Sequence, residues 1–124
     1  MLPVNRQLIL IRPKEALVTW VHSILPDFPI AWEDLGKHDS ANAYLIPVFE
    51  EPEEALAWVK ENFEYFLTEE LLDWVEEEQY LPKELTQEMF EDFCDCEFHS
   101  MVLDTIDYPL EKEEEWWESP EDLN

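Results

Sequence analysis

The chain has 124 residues, 46% of them apolar, and its six Trp, four Tyr and seven Phe are enough to fill one core and too many for a disordered acidic segment. Thirty-two acids against seven bases give a formal net charge of −25, which disfavours direct binding of nucleic acid or of an anionic membrane surface. A lone glycine, Gly36, excludes the glycine-rich phosphate loops of nucleotide enzymes.

The opening MLPVNRQLILIRPKE has an apolar stretch too short to span a bilayer, and Arg12 and Lys14 follow it with no small-residue cleavage site, so neither a membrane anchor nor a signal peptide is expected. Within it, Gln7 to Ile11 is a continuous apolar run that predicts a central strand buried on both faces. Pro13 suits the first turn of a helix, and Ala16, Leu17, Trp20, Val21, Ile24 and Leu25 recur at spacings of three and four until Pro26. Residues 26–42 are rich in turn formers and read as the longest internal loop.

Ala43 to Phe49 (AYLIPVF) reads as a second strand, placed at an edge because Pro47 cannot donate to a central ladder. Pro52 among Glu50, Glu51, Glu53 and Glu54 opens a helix whose buried stripe is Leu56, Val59, Phe63, Phe66 and Leu67. Thr68 before Glu69 and Glu70 reads as a fresh N-cap for a further helix running to about Tyr80–Pro82. A short helix follows Thr86, with Met89, Phe90 and Phe93 apolar. Glu97 to Ile106 alternates loosely as a third strand, with Phe98, Val102 and Ile106 on one face and His99, Met101 and Leu103 on the other. The order is βαβαααβ: one small α/β or α+β domain over residues 1–107, with a three-stranded sheet covered by helices. Residues 108–124 read as an acidic, mobile C-terminal tail unless Trp116 and Trp117 dock.

Residues 1–25 hold three bases, Arg6, Arg12 and Lys14, and one acid, Glu15, which leaves a charge of −27 for residues 26–124. Such a field attracts basic partners at long range and with strong salt dependence. The candidate binding residues are the acids interleaved with tryptophan on the helices: Glu50, Glu51, Glu53, Glu54, Glu69, Glu70, Asp73, Trp74, Glu76, Glu77 and Glu78. The plainer readings are that these acids keep the protein soluble, that they reflect a halophilic host, and that the aromatics are core.

Cys94, Cys96 and His99 with neighbouring carboxylates form the densest chemistry. The two thiols are too close for an ordinary bridge, and zinc wants two separated ligand pairs, whereas His22 and His38 are distant. Reduced, buried thiols are therefore expected, and with them a cytoplasmic address, no metal and no cofactor. His99 and Ser100 supply residue types for a polar or hydrolytic site, but neighbours in a strand point to opposite faces. Paired acids such as Glu50 and Glu51 lack the spacing of a calcium loop.

The stretch Thr86 to Asp104 (TQEMFEDFCDCEFHSMVLD), with the opening strand, AYLIPVFEEPEEA and LPKELT, resembles small acidic bacterial proteins of uncharacterised function. The resemblance implies no activity, cofactor or partner, and the Cys94 and Cys96 pair is not part of its pattern. The expectation is a non-enzymatic interaction protein for a basic partner, such as an immunity protein, a nucleic-acid mimic or an adaptor. The alternatives are a small hydrolase or metal-dependent enzyme with a site near His99, and a homo-oligomer joined through exposed tryptophans.

Overall fold

In the computed structural model, which describes residues 1–37 and 40–112, the apolar run forms strand β2 (Gln7–Pro13), after a two-residue strand β1 (Leu2–Pro3). β2 lies between β3 (Asn42–Ile46) and β4 (Cys94–His99) and is antiparallel to both. Ile9 faces Tyr44 on one side and Phe98 on the other, and Ile11 faces Asn42 and Cys96. Its central place is as expected. Its burial is not: Gln7, Ile9, Ile11 and Pro13 are buried, while Leu8, Leu10 and Arg12 on the opposite face stay half-exposed. All four helices contribute to the core on the Ile9 and Ile11 side, so the sheet has one covered face and one open face.

Pro13 ends β2 instead of starting a helix. The last position of a strand needs no further ladder donor from it, and the amide of Lys14 continues the sheet by donating to the Phe93 carbonyl at 2.8 Å. Helix α1 (Glu15–Ile24) follows, burying Leu17, Val18 and Val21. Its end is set by Pro26, after Leu25 donates back to the Val21 carbonyl at 2.7 Å. Residues Trp32–Lys37 form a 3-10 turn within the connection, and Leu35 reaches the interior.

β3 stops at Ile46, before Pro47. Helix α2 (Pro52–Glu61) opens on its proline as the sequence predicts. The next break falls at Asn62, not Thr68. The Asn62 side chain donates to the Trp58 carbonyl at 2.9 Å and its amide reaches the same turn, which closes α2, while Tyr65 donates to the Asn62 carbonyl to start α3 (Phe63–Val75). Thr68 simply continues α3. The helix ends earlier than expected, at Glu76 in the left-handed conformation (φ 61°), and a 3-10 turn covers Glu78–Tyr80.

Helix α4 (Gln87–Phe93) is capped as its sequence implies, by Thr86 Oγ1 accepting from the Met89 amide at 3.1 Å. The predicted third strand splits in two. β4 begins at Cys94 directly from α4, so Cys94 belongs to the strand and not to a helix face, and it ends at His99. After the bend at Ser100, Leu103–Asp104 (β5) pairs with β1 in a separate two-stranded sheet. The α+β order βαβαααβ holds for the main sheet.

The core gathers Ile9, Ile11 and Ile46 from the sheet with Leu17, Val21, Val59, Phe66, Leu67, Leu71 and Phe90 from the helices. Phe66 is its centre, edge-on to Tyr44, Trp58 and Tyr65 at centroid distances of 5.2, 6.0 and 5.9 Å. Among the described residues, no helix is long and apolar enough to cross a membrane. Trp116 and Trp117 lie outside the described residues.

Candidate functional site

The expected acidic surface resolves into two groups at the outer ends of consecutive helices. Glu50, Glu51, Glu53 and Glu54 are exposed where α2 begins. Glu69, midway along α3, and Asp73, Glu76, Glu77 and Glu78, where it ends, are exposed as well. At 1.5 Å per residue the two helices measure about 15 and about 20 Å. Trp74 is half-buried against Phe28 at 5.6 Å and packs against the core, as does Trp58.

The two patches differ electrostatically. Acids at the start of α2 complement the free N–H groups there, each worth about 0.3–1 kcal/mol. Acids at the end of α3 oppose the helix dipole, no base sits in its last turn, and Glu76 holds a backbone conformation that glycine or asparagine usually takes. The Arg12–Glu97 and Lys60–Glu91 ion pairs, at 3.2 and 3.1 Å, engage other acids.

Glu70 does not lie on this surface. It is 1% exposed, and its carboxylate accepts from the Tyr44 hydroxyl at 2.5 Å and from Asn42 Nδ2 at 2.8 Å. Asn42 Nδ2 also donates to Asp73, so one side-chain amide ties the buried acid to an exposed one. Burial pushes the Glu70 carboxyl up; the bonds from Tyr44 and Asn42 oppose that rise, and the charges of Asp73 and Glu69 add to it. Tyr44 is likewise pushed up, first by burial and then by Glu70. The signal was present in the sequence: Phe66, Leu67, Glu70, Leu71 and Val75 fall on one helical stripe.

Cys94 is buried and Cys96 half-buried, both on the covered face of β4. Burial, Glu70 and Cys96 push the Cys94 thiol up, and burial, Asp95 and Glu70 raise Cys96 to about 11. Both shifts favour the protonated thiol over the nucleophilic thiolate at neutral pH. Among the described residues no three His, Cys, Asp or Glu side chains are placed to hold a metal ion.

His99 and Ser100 line an open cleft of about 490 Å³ where β4 ends beside the start of α2. Phe98 and Met101 flank them, and Phe49, Glu50 and Pro52 form the other wall. Gln7, buried at the start of β2, shapes the floor: its amide donates to the Phe49 carbonyl at 3.2 Å and accepts from the Phe49 amide at 2.7 Å. This side chain extends the sheet's hydrogen bonding one step beyond β3 and fixes the chain past Pro47. His99 Nε2 meets Glu97 at 2.5 Å, and Arg12 donates to the same carboxylate. The bonds from His99 and then Arg12 hold the Glu97 carboxyl below its ordinary range. His99 is thus oriented by Glu97 on the open sheet face and not by Ser100.

Comparison of the chain with protein-family models, with curated proteins and with solved structures finds no match.

Proposed function

We propose that the protein is a non-enzymatic interaction module that binds a basic partner, with the end of α3 as its principal contact. The observation that carries this reading is the concentration of exposed acids at Glu69, Asp73, Glu76, Glu77 and Glu78, of which Asp73 and Glu76 to Glu78 lie at a helix end whose own dipole opposes them. Asp73 and Glu77 accept from Asn42 and Gln79, but the charges at this helix end still oppose its dipole, and a cationic partner gains from the carboxylates. An immunity protein, a nucleic-acid mimic and an adaptor all share this chemistry. The cytoplasm is the compartment that fits, because Cys94 and Cys96 are free thiols.

Pull-down with the immobilised protein at low and high salt tests the proposal. Basic proteins are expected to bind at low salt and to elute as salt rises. A variant with Gln or Asn at those five acids is expected to release them at lower salt than one neutralised at Glu33, Glu61, Glu64, Glu84 and Glu88, which are equally exposed. No retention at low salt, or retention indifferent to salt, refutes it.

A hydrolytic reading has one observation in its favour, the cleft at His99. Hydrolysis of simple esters that persists in His99→Ala would remove that reading.

A further inference from the structure

We infer that the cleft beside His99 is a subsite for one cationic side chain, a lysine or arginine of a basic polypeptide, an inference that rests on the partner reading above. Glu50 supplies a carboxylate at the wall, and among the described residues it has no hydrogen-bond or ion-pair partner of its own. Phe49, Phe98 and Met101 make the rest of the lining largely apolar, which suits the aliphatic stem of such a side chain. Among the described residues, no lysine or arginine lines the cleft.

The polar groups of the site are arranged to receive and not to adapt. The amide of Gln7 is consumed by Phe49, and the ring of His99 by Glu97, so the walls are set before a ligand arrives. The start of α2 would by itself draw an anion, but Glu50, Glu51, Glu53 and Glu54 already crowd that end and reverse its preference. A volume of about 490 Å³ holds one long side chain with its flanking backbone.

The probe is the tetralysine peptide Ac-Lys-Lys-Lys-Lys-NH2, titrated into the isotope-labelled full chain at low salt and followed by the amide resonances. Besides shifts at the end of α3, shifts are expected at Phe49, Glu50 and Phe98 to Met101, and their titration reads binding at the cleft. Glu50→Gln is expected to weaken binding about twofold to fivefold, the usual worth of one exposed ion pair. Met101→Lys, which places a like charge in the cleft from an exposed position, is expected to weaken it more than about tenfold. Thr19→Lys makes the same change in net charge at an exposed site on α1, away from both acidic groups of the helices, and is expected to cost less than about twofold. Binding that persists with shifts centred on Asp73 to Glu78 and is indifferent to Glu50→Gln and Met101→Lys overturns the cleft and leaves the partner reading standing. Absence of any binding at low salt overturns both.

Discussion

Replacing Glu70 with glutamine asks whether a buried acid makes the fold pH-dependent. Its folded-state proton affinity is raised above the unfolded value of about 4.3, chiefly by burial. A raised group contributes stability that is fully present below the unfolded value and is lost as pH climbs through the folded value. The wild type should therefore lose stability as pH rises from the unfolded value through the folded one, by about 1.4 kcal/mol per unit of displacement, and level off above it. Glu70→Gln has nothing to titrate there, so its stability relative to wild type should improve with pH over that interval. Repulsion among the surface acids is shared by both proteins and cancels in the difference. Tyr44→Phe tests the other side of the bond. With Glu70 protonated it removes a neutral hydrogen bond worth about 0.5–1.5 kcal/mol; with Glu70 ionised it removes a charge-assisted one worth about 1.5–3 kcal/mol. Urea unfolding followed by tryptophan fluorescence from pH 5 to 8.5 reads both effects, the lower limit being set by the sequence pI of about 4.1. Parallel stability curves for wild type and Glu70→Gln across that range refute the reasoning.

Other substitutions read separate links of the structure. Gln7→Ala orphans the Phe49 amide and carbonyl and should cost about 2–3 kcal/mol in urea unfolding, with the largest changes in amide exchange at Phe49 and Glu50. Phe66→Leu removes three edge-on ring contacts and leaves a void, and should lower stability by about 2–4 kcal/mol without changing the secondary structure seen by circular dichroism. Glu76→Gly relieves the left-handed backbone and one repulsive charge at the end of α3; it should raise stability by about 1 kcal/mol while weakening retention of basic proteins. Thr86→Ala should cost about 1 kcal/mol through loss of the α4 cap, measured by urea unfolding.

What could be read in the chain beforehand follows from how local each cause is. The Thr86 cap and the Pro52 helix start depend on neighbours within one turn, and both occur as the residues imply. The centrality of β2 rests on four consecutive apolar side chains. Such a run cannot show whether a second layer covers Leu8 and Leu10, and none does among the described residues. The break at Asn62 was missed because Thr68 offers the stronger capping residue, and only the Asn62 side chain folding back on Trp58 decides between them. The start of β4 was missed because Phe90, Phe93 and Cys94 satisfy a helical spacing as readily as Cys94, Cys96 and Phe98 satisfy a strand.

The sites divide the same way. Abundant acids foretell a negative surface, but abundance hides the exception. Glu70 sits on the buried stripe of α3, bonded to β3 residues 26 and 28 positions away, and takes no part in any external field. The cleft depends on Gln7 meeting Phe49 across 42 residues, a contact with no periodic trace. Count alone therefore cannot say which carboxylates attract a partner. Burial removes Glu70, the dipole of α2 partly satisfies Glu53 and Glu54, and the acids at the end of α3 remain in opposition to their own helix. Those are the charges whose repulsion a bound cation relieves most, which is why the partner is placed there and why neutralising them is expected both to stabilise the free protein and to weaken the complex.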